Sequence, residues 1–277
     1  MRIGVFDSGY GGLSVYGKIR AHLPPYDFVY LGDNARTPYG NRSFDTILRF
    51  TLEGMEKLFQ EDCRLVIIAC NTASAKALRT LQQRYLPRFR PDRRILGIIR
   101  PSAEALASLP TSRRVALWGT EGTVRSQSYA MELHKLAPHL ELVQIACPML
   151  VPLVEAGEVS GSGAEFFIRK YWEATLESGI LPSQLLLACT HYPLLYPLIR
   201  SLVPPEVEIL VQGDVVAPSL ADYLSRHPEI AGDLGKGGEE RFLTTDFSEG
   251  FDKLARAFLG RPIRSEKVEL PTNPLIF

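Results

Sequence analysis

The chain has 277 residues, of which 45% are hydrophobic and 22% are charged, a composition typical of globular proteins. Its 31 basic and 31 acidic residues balance, so no electrostatic footprint for nucleic acid or an anionic membrane is indicated. No apolar stretch reaches the roughly 20 residues of a membrane span, and the N-terminus leads directly into a strand rather than into a signal peptide.

The sequence contains four cysteines and five histidines. None of the cysteines forms a C-x-x-C pair, and the histidines show no ligand spacing to one another or to cysteine. Free thiols persist in a reducing compartment. The sequence therefore predicts a cytoplasmic protein with no disulfide framework and no metal site.

The first predicted strand, Arg2 to Phe6, is followed by a glycine-rich turn, Asp7-Ser8-Gly9-Tyr10-Gly11-Gly12, and the start of a helix. Glycine lets backbone N–H groups approach a ligand, and a helix N-terminus favours an anion. A plain tight turn with an Asx cap explains the same residues equally well. The G-x-G-x-x-G and P-loop patterns of nucleotide sites are absent here.

The next part of the chain repeats this arrangement of a strand followed by a polar segment. The predicted strand Phe28 to Leu31 ends in a long polar loop that contains Pro38-Tyr39-Gly40, and loops of this kind often carry function. Helical periodicity then extends from Phe44 to Phe59. The aliphatic run Leu65 to Ala69 predicts a buried strand, followed by a helix over Ala73 to Tyr85.

Strands and helices continue to alternate, which predicts parallel sheets with helices on both faces. The remaining predicted elements are a linker at Pro87–Arg94, strands at Ile95–Ile99, Val115–Trp118, Glu141–Ala146, Leu185–Ala188, Ile209–Val211 and Arg241–Thr245, helices at Val151–Glu155, Ala164–Leu176, Tyr196–Leu202, Ala217–Ser225 and Phe251–Leu259, and an irregular tail at Gly260–Phe277.

Two segments echo each other: LVIIACNTASA, which contains Cys70, and LLLACTHYPLL, which contains Cys189. Each cysteine follows a buried strand, at the end where open α/β sheets bind their ligands. Most buried cysteines are inert core residues, and Cys63 and Cys147 fit that interpretation. Cys70 and Cys189 differ because polar residues follow them. The echo predicts two similar domains with a cleft between them.

A single activated thiol beside a histidine would indicate a hydrolase or an acyl transferase. Two thiols from opposite sides of one cleft favour another reaction, in which one thiol removes a proton from a carbon and the other donates one. That inversion needs no cofactor. Polar groups in the turns would bind a small anionic substrate, at Asp7-Ser8, Tyr39-Gly40, Asn71-Thr72, Thr123 and Thr190-His191.

Six motifs, DSGYGG, GDNARTPYG, ACNTASA, GTEGT, CPMLVPLVEAG and CTHYPLL, occur in this order and spacing. Together they closely resemble the glutamate racemases of the Asp/Glu racemase group, from Met1 to about Gly260. The resemblance implies two flavodoxin-like α/β domains with parallel sheets, related by a pseudo-twofold axis, with the active site in the interdomain cleft. It implies domains at 1–97 plus 207–277, the returning segment, and at 98–206.

The resemblance also implies an activity and a set of residues. The activity is cofactor-independent interconversion of L- and D-glutamate, which supplies D-glutamate for peptidoglycan, in a protein that is commonly a homodimer. Cys70 and Cys189 match the two acid/base thiols, Cys70 acting on the D-isomer and Cys189 on the L-isomer. Groups assisting the thiols are matched by Asp7, His191 and, more weakly, Glu155. The substrate shell is matched by Asp7, Ser8, Pro38, Tyr39, Gly40, Asn71, Thr72, Thr123, Thr190 and His191.

The chain departs from the family pattern at three places. Arg100-Pro101-Ser102 stands where an acidic residue and Pro-Gly are usual, Gln212-Gly213-Asp214 replaces an Asp-Ser-Gly-like turn, and Ala188 replaces a glycine. The first two positions concern interdomain packing more than chemistry. Two alternatives stay open: a relative that acts on aspartate, a hydantoin or another small acid, and a non-catalytic relative that binds glutamate or a partner protein.

Overall fold

The computed structural model describes residues 1–108, 114–179 and 181–272, and these residues form alternating strands and helices. The strands are β1 (Arg2–Asp7), β2 (Phe28–Gly32), β3 (Cys63–Ile68), β4 (Arg94–Gly97), β5 (Arg114–Gly119), β6 (Glu141–Ala146), β7 (Gln184–Ala188), β8 (Glu208–Val211), β9 (Glu240–Thr244) and β10 (Ser265–Lys267).

The α-helices are α1 (Leu13–His22), α2 (Phe44–Gln60), α3 (Asn71–Lys76), α4 (Leu78–Thr80), α5 (Leu86–Phe89), α6 (Ile99–Ser108), α7 (Glu121–Ser126), α8 (Ser128–Leu136), α9 (Leu150–Glu155), α10 (Ser162–Glu177), α11 (Tyr196–Leu202), α12 (Gln212–Arg226), α13 (Pro228–Ala231) and α14 (Ser248–Leu259). Short 3₁₀ helices cover Asn34–Arg36 and Tyr192–Leu195, and a π-helical turn covers Leu81–Tyr85.

The strands form two parallel sheets. The six-stranded sheet has the order β10-β9-β2-β1-β3-β4, and the four-stranded sheet has the order β6-β5-β7-β8. Both contain the same arrangement of second, first, third and fourth strand, which is the beginning of the flavodoxin-like order. In the register, Phe6 lies opposite Leu31 and Ile68, and Trp118 lies opposite Ile145 and Leu187. The predicted α/β class with two parallel sheets is confirmed.

Side chains that alternate along the strands fill a core on each face of each sheet. On β3, Leu65 and Ile67 pack into the layer beside α1 and α12, whereas Val66 and Ile68 pack into the layer beside α2. Burying each such side chain contributes roughly 1.5–3 kcal/mol, so the unbroken aliphatic run is what makes β3 a central strand. The second sheet has two corresponding cores.

The chain leaves the six-stranded sheet after β4, crosses through α6, and builds the four-stranded sheet before α12 returns it to β9 and β10. The expected boundary at residue 207 needs correction, because β8 pairs with β7 in the second sheet. The returning segment begins only with α12. Its helix packs along α1, so it belongs structurally to the first sheet.

Several local predictions were wrong. The predicted linker at Pro87–Arg94 contains most of α5 and the first residue of β4, and the predicted strand Ile95–Ile99 ends at Gly97, because α6 begins at Ile99. The helix predicted over Ala73–Tyr85 is divided into α3, α4 and the π-helical turn. The tail contains β10, a polar Ser-Glu-Lys strand with no hydrophobic pattern of its own, which forms because its backbone pairs with β9. Residues 273–277 of the predicted tail lie outside the described residues.

Candidate active site

The two cysteines of the echoed motifs occupy equivalent positions in the two sheets. Cys70 follows β3 and Cys189 follows β7, the third strand of the shared order in each case. Each is only 6% exposed. A thiolate at Cys189 is among the causes that raise the pKa of Cys70, so the two sulfur atoms lie within Coulombic range of each other. The fold therefore brings both thiols to one buried site.

The surroundings of Cys70 come from the ends of β1 and β3. Cys70 caps α3, its Sγ accepting from the backbone N–H of Ala73 at 3.4 Å, and Ser8 Oγ lies 3.3 Å from Sγ. Burial and, to a smaller extent, the charge of Asp7 raise the pKa of the Cys70 thiol to about 12, although the contacts with Ser8 and Ala73 lower it. Asp7 is itself fully buried, and desolvation raises its pKa. Its Oδ2 accepts from the N–H of Gly9 at 3.0 Å.

The surroundings of Cys189 are different, because they contain an imidazole. Cys189 Sγ lies 4.0 Å from Nδ1 of His191, and His191 Nε2 lies 3.0 Å from Oε1 of Glu155. Burial lowers the pKa of His191, but the contacts with Cys189 and Glu155 and the charge of Asp7 outweigh it and raise the value to about 10. This chain of thiol, imidazole and carboxylate favours a protonated imidazole beside the thiol.

The glycine-rich turn after β1 lies directly against the Thr190-His191 pair of the other sheet. Thr190 Oγ1 donates to Asp7 Oδ1 at 3.5 Å, and Ser14 Oγ donates to the Thr190 carbonyl at 2.8 Å. A side chain at Gly11 would clash with both Thr190 and His191. The glycine is therefore needed for close approach of the two sheets, and this contact connects the surroundings of the two thiols.

A cluster of three hydroxyls joins the two sheets on another side of the site. Thr72 Oγ1 lies 2.9 Å from Thr120 Oγ1 and 3.5 Å from Thr123 Oγ1, and Thr120 caps α7. The backbones approach closely here as well, because a Cβ added at Gly122 would lie 2.6 Å from the carbonyl oxygen of Gly40. Thr72, Thr123 and Gly40 are thus brought together, as predicted site residues from separate parts of the sequence.

The remaining predicted site residues, Pro38, Tyr39 and Asn71, have no hydrogen bond to either thiol among the described contacts of the site. The Tyr39 hydroxyl donates to the buried Asp33 carboxylate, and Pro38 is exposed. The charge of a Cys70 thiolate contributes to the raised pKa of Tyr39, after burial and Asp33, so Tyr39 lies near that thiol. The side chain of Asn71 bonds to other buried side chains: its Nδ2 donates to Gln212 Oε1 at 2.6 Å, and its Oδ1 accepts from the Tyr129 hydroxyl at 2.7 Å.

Sequence reasoning missed several residues that contact this site. Thr120 follows β5 in a small-residue turn, so its position at a strand end was a usable signal. Tyr30, whose hydroxyl donates to the Gly9 carbonyl at 3.1 Å, and Phe258, whose ring lies 5.8 Å from the His191 ring, gave no such signal. Only the packing of separate elements brings these two aromatic residues to the turn after β1 and to His191.

Three further observations concern metal sites, membrane helices and other cavities. In residues 1–108, 114–179 and 181–272, no group of three or more His, Cys, Asp or Glu side chains could hold a metal ion. The same part of the chain has no helix long and apolar enough to cross a membrane. A cavity of about 880 Å³ also lies between the sheets, lined by α3, α6, α8 and α12, but it contains neither Cys70 nor Cys189.

Comparison with known proteins agrees with this architecture. Residues 3–217 match the model of the Asp/Glu/Hydantoin racemase family. The glutamate racemase of Paracoccus denitrificans is 42% identical over 276 residues, covering 96% of this chain and 99% of that protein.

Two solved structures have the same fold over 98% of both chains. They are the glutamate racemase isoform RacE1 of Bacillus anthracis, with a TM-score of 0.88 and 32% identity, and the glutamate racemase of Francisella tularensis in complex with D-glutamate, with a TM-score of 0.86 and 29% identity. On this similarity, the chain belongs to the Asp/Glu/hydantoin racemase family and is an amino-acid racemase.

Proposed function

We propose that this protein interconverts L- and D-glutamate by moving one proton off and one proton onto the α-carbon, with Cys70 and Cys189 as the two acid/base groups. The observation that carries the proposal is the convergence of two buried thiols from equivalent strand ends. Inversion at a carbon requires groups on its two faces, and two thiols from opposite sheets supply them. The relatives' names supply the substrate, glutamate.

In the proposed reaction on D-glutamate, the Cys70 thiolate takes the α-proton and Cys189 donates its proton to the opposite face of the carbanion. Cys70 ends as a thiol and Cys189 as a thiolate, which is the state required for the reverse reaction. No redox or group-transfer step is involved, so no cofactor is required. Asp7 and His191 assist the thiols, and Glu155 holds the imidazole of His191.

The elevated pKa of Cys70 has two consequences for this reaction. A thiolate whose conjugate acid has a pKa of about 12 is a stronger base than an ordinary thiolate, but it is scarce at neutral pH. The substrate carries an ammonium group beside the α-carbon, and this cation would favour the thiolate once it is bound. Closure of the buried site around fixed dipoles would supply the further stabilisation that a carbanion needs.

The proposed substrate shell binds the two carboxylates and the ammonium group of glutamate. It consists of Asp7, Ser8, Pro38, Tyr39, Gly40, Asn71, Thr72, Thr123, Thr190 and His191. Hydroxyls of Ser8, Thr72, Thr123 and Thr190 would donate to the carboxylates, and the Asp7 carboxylate would accept from the ammonium group. Because the Tyr39 hydroxyl already bonds to Asp33, the Pro38–Gly40 segment would contribute backbone groups.

A racemase for aspartate or another small acid is the second candidate, but the named relatives at 36–42% identity are glutamate racemases. An aspartate racemase of Picrophilus torridus is only 18% identical and shares the fold alone. A non-catalytic binding role is disfavoured because binding alone would require neither Cys70 nor Cys189.

The test is circular dichroism of L-glutamate incubated with the protein and no added cofactor, with L-aspartate in parallel. We expect the glutamate signal to decay to zero and the aspartate signal to persist. A constant glutamate signal with folded protein would refute the proposal, and decay of aspartate alone would favour the second candidate. A Cys70→Ser/Cys189→Ser double variant controls for contaminating racemase.

We further propose that the product D-glutamate is used for peptidoglycan in the cytoplasm and that the protein is a homodimer. Growth of a D-glutamate auxotroph supplied with this chain tests the first point. Light scattering at known concentration tests the second.

A further inference from the structure

A closed ring of hydrogen bonds includes Asn71, the residue that follows Cys70 in the sequence. Asn71 Nδ2 donates to Gln212 Oε1 at 2.6 Å, Gln212 Nε2 donates to the Tyr129 hydroxyl at 2.8 Å, and that hydroxyl donates to Asn71 Oδ1 at 2.7 Å. Around the ring, each side chain donates one of these bonds and accepts one, and Gln212 Nε2 also lies 3.2 Å from Asn71 Oδ1. A polar network of this kind, when fully satisfied, rigidifies the buried groups that form it.

Ser102 fixes the direction of the bonds in this ring. Its hydroxyl hydrogen is donated to the Ile98 carbonyl at 2.7 Å, so its oxygen can only accept from Gln212 Nε2, which lies 3.0 Å away. The amide group of Gln212 that faces Ser102 must therefore be the NH₂. With Gln212 fixed in this way, its Oε1 faces Asn71, and the Asn71 amide can take only one orientation.

The four side chains come from four segments that belong to both sheets. Asn71 opens α3 after β3, Ser102 lies on the crossing helix α6, Tyr129 lies on α8 beside the second sheet, and Gln212 opens the returning helix α12. All are buried, with exposures of 3%, 0%, 0% and 2%. Because no one segment contributes two members, the ring closes only when the two sheets are held as they are here.

The ring is uncharged, because burial raises the pKa of Tyr129 and the phenol keeps its proton. The charge of a Cys189 thiolate also raises this pKa, so Tyr129 lies within Coulombic range of the second thiol. Cys189 is supported by the imidazole and carboxylate of His191 and Glu155. Ser102 and Gln212, which lie 110 residues apart in the sequence, are brought into contact by the packing of α6 and α12.

We propose that Gln212, Ser102 and Tyr129 are positioning residues that act through Asn71. They hold the first turn of α3, and with it Cys70 and Thr72, in the geometry needed for proton transfer when the sheets are closed. The inference deepens the proposed glutamate racemisation and rests on it. Small displacements of a reacting group are costly, because proton transfer depends steeply on the distance between the two atoms.

Two single variants and a matched control test the proposal. Tyr129→Phe removes one member of the ring, and Ser102→Ala removes the acceptor that fixes its direction. Thr175→Val is the control, because Thr175 Oγ1 also donates to the carbonyl four residues earlier, at 2.8 Å, and accepts from a buried side-chain N–H, that of Trp118, at 3.0 Å. Thr175→Val therefore removes the same two kinds of hydrogen bond as Ser102→Ala but leaves the ring intact.

The melting temperature, kcat and KM are measured for each protein with L- and D-glutamate. We expect similar losses of melting temperature in all three variants, but a roughly tenfold fall in kcat for Tyr129→Phe and Ser102→Ala only. Values of kcat within about twofold of wild type in both variants would overturn the proposal.

A second readout needs no substrate, so it separates this inference from the proposed function. Iodoacetamide alkylation of Cys70 and Cys189 is followed by mass spectrometry in the same sample. We expect loss of the ring to increase the rate at Cys70 relative to Cys189 by about threefold or more, because the first turn of α3 is released. An unchanged ratio in Tyr129→Phe, or failure of both ring variants to fold, would reject a positioning role.

Discussion

Glu155 Oε1 lies 3.0 Å from His191 Nε2, the ring nitrogen that faces away from Cys189. The carboxylate thus orients the imidazole and helps to keep it protonated beside the thiol. Among the described residues, the hydrogen-bond partners of the Cys70 sulfur are the Ser8 hydroxyl and the N–H of Ala73. The two thiols therefore have different surroundings, although they occupy equivalent positions in the two sheets.

Replacing Glu155 by glutamine should weaken the protonated state of His191. In Glu155→Gln, we expect the alkaline limb of the racemisation pH profile to move to lower pH and kcat to fall about tenfold. The exposed Glu158→Gln, three residues further along, is the matched control. An unchanged profile in Glu155→Gln would show that the carboxylate does not support His191 during turnover.

The free energy of unfolding should also depend on the charge of His191. Its pKa is raised from 6.5 to about 10, so its proton is held more tightly in the folded protein than in the unfolded chain. The resulting stabilisation is complete below pH 6.5 and is lost as the pH rises through about 10. Urea unfolding between about pH 6 and 9, below the range in which Cys70 begins to contribute, should show this decline. A steeper or equal decline in Glu155→Gln would contradict the assignment.

Asp7 and Ser8 should change the ionisation of Cys70 in opposite directions. The Asp7 charge raises the pKa of Cys70 and the Ser8 hydroxyl lowers it. We therefore expect Cys70 to be alkylated faster in Asp7→Asn than in the wild type at a given pH, and more slowly in Ser8→Ala. Both variants should lose racemase activity. The pH dependence of iodoacetamide labelling, with Cys189 as the internal reference, measures both shifts. Shifts of the same sign would refute this electrostatic account.

The close approach of the two sheets at Gly122 and Gly40 should depend on the absence of a side chain at Gly122. In Gly122→Ala, the new Cβ would lie 2.6 Å from the Gly40 carbonyl oxygen, a backbone atom that cannot move alone. We expect at least a tenfold loss of kcat/KM, because the hydroxyl cluster of Thr72 and Thr123 would be separated. Gly163→Ala is the control: it lies in α10 with open space around its Cβ and should keep full activity. Equal activities in the two variants would argue against closure at this contact.

Serine in place of either active-site thiol should stop racemisation. We expect Cys70→Ser and Cys189→Ser each to reduce kcat by about 10³-fold or more, because a serine hydroxyl is a far weaker acid than a thiol, so it donates its proton poorly and its deprotonated form is not available as a base. Cys63→Ala, which alters a buried cysteine whose pKa is raised by desolvation, should lose about 1 kcal/mol of stability and keep its activity. Polarimetry of L- and D-glutamate gives the rates, and activity in either serine variant would exclude the two-thiol mechanism.

Much of this architecture follows from local sequence patterns. The aliphatic run before Cys70 predicts a buried strand because only such a run can be covered by helices on both faces, and the same holds for the run before Cys189. Parallel strands present their carboxyl ends at one edge of a sheet, so the two cysteines were predicted to lie at functional ends. The glycine-rich turn after β1 and the threonine-containing turn after β5 could be predicted as parts of the site because they also follow parallel strands.

The sequence by itself determined which residues end the strands and which chemical groups they carry, because strand and turn signals are local. Only the tertiary structure decided which groups meet. The distance from Glu155 to His191 and the ring around Asn71 depend on contacts between elements up to 141 residues apart. The same is true of β8, which the resemblance to glutamate racemases assigned to the returning segment but whose backbone pairs with β7. Such pairings depend on the packing of the two sheets, and no local propensity encodes them.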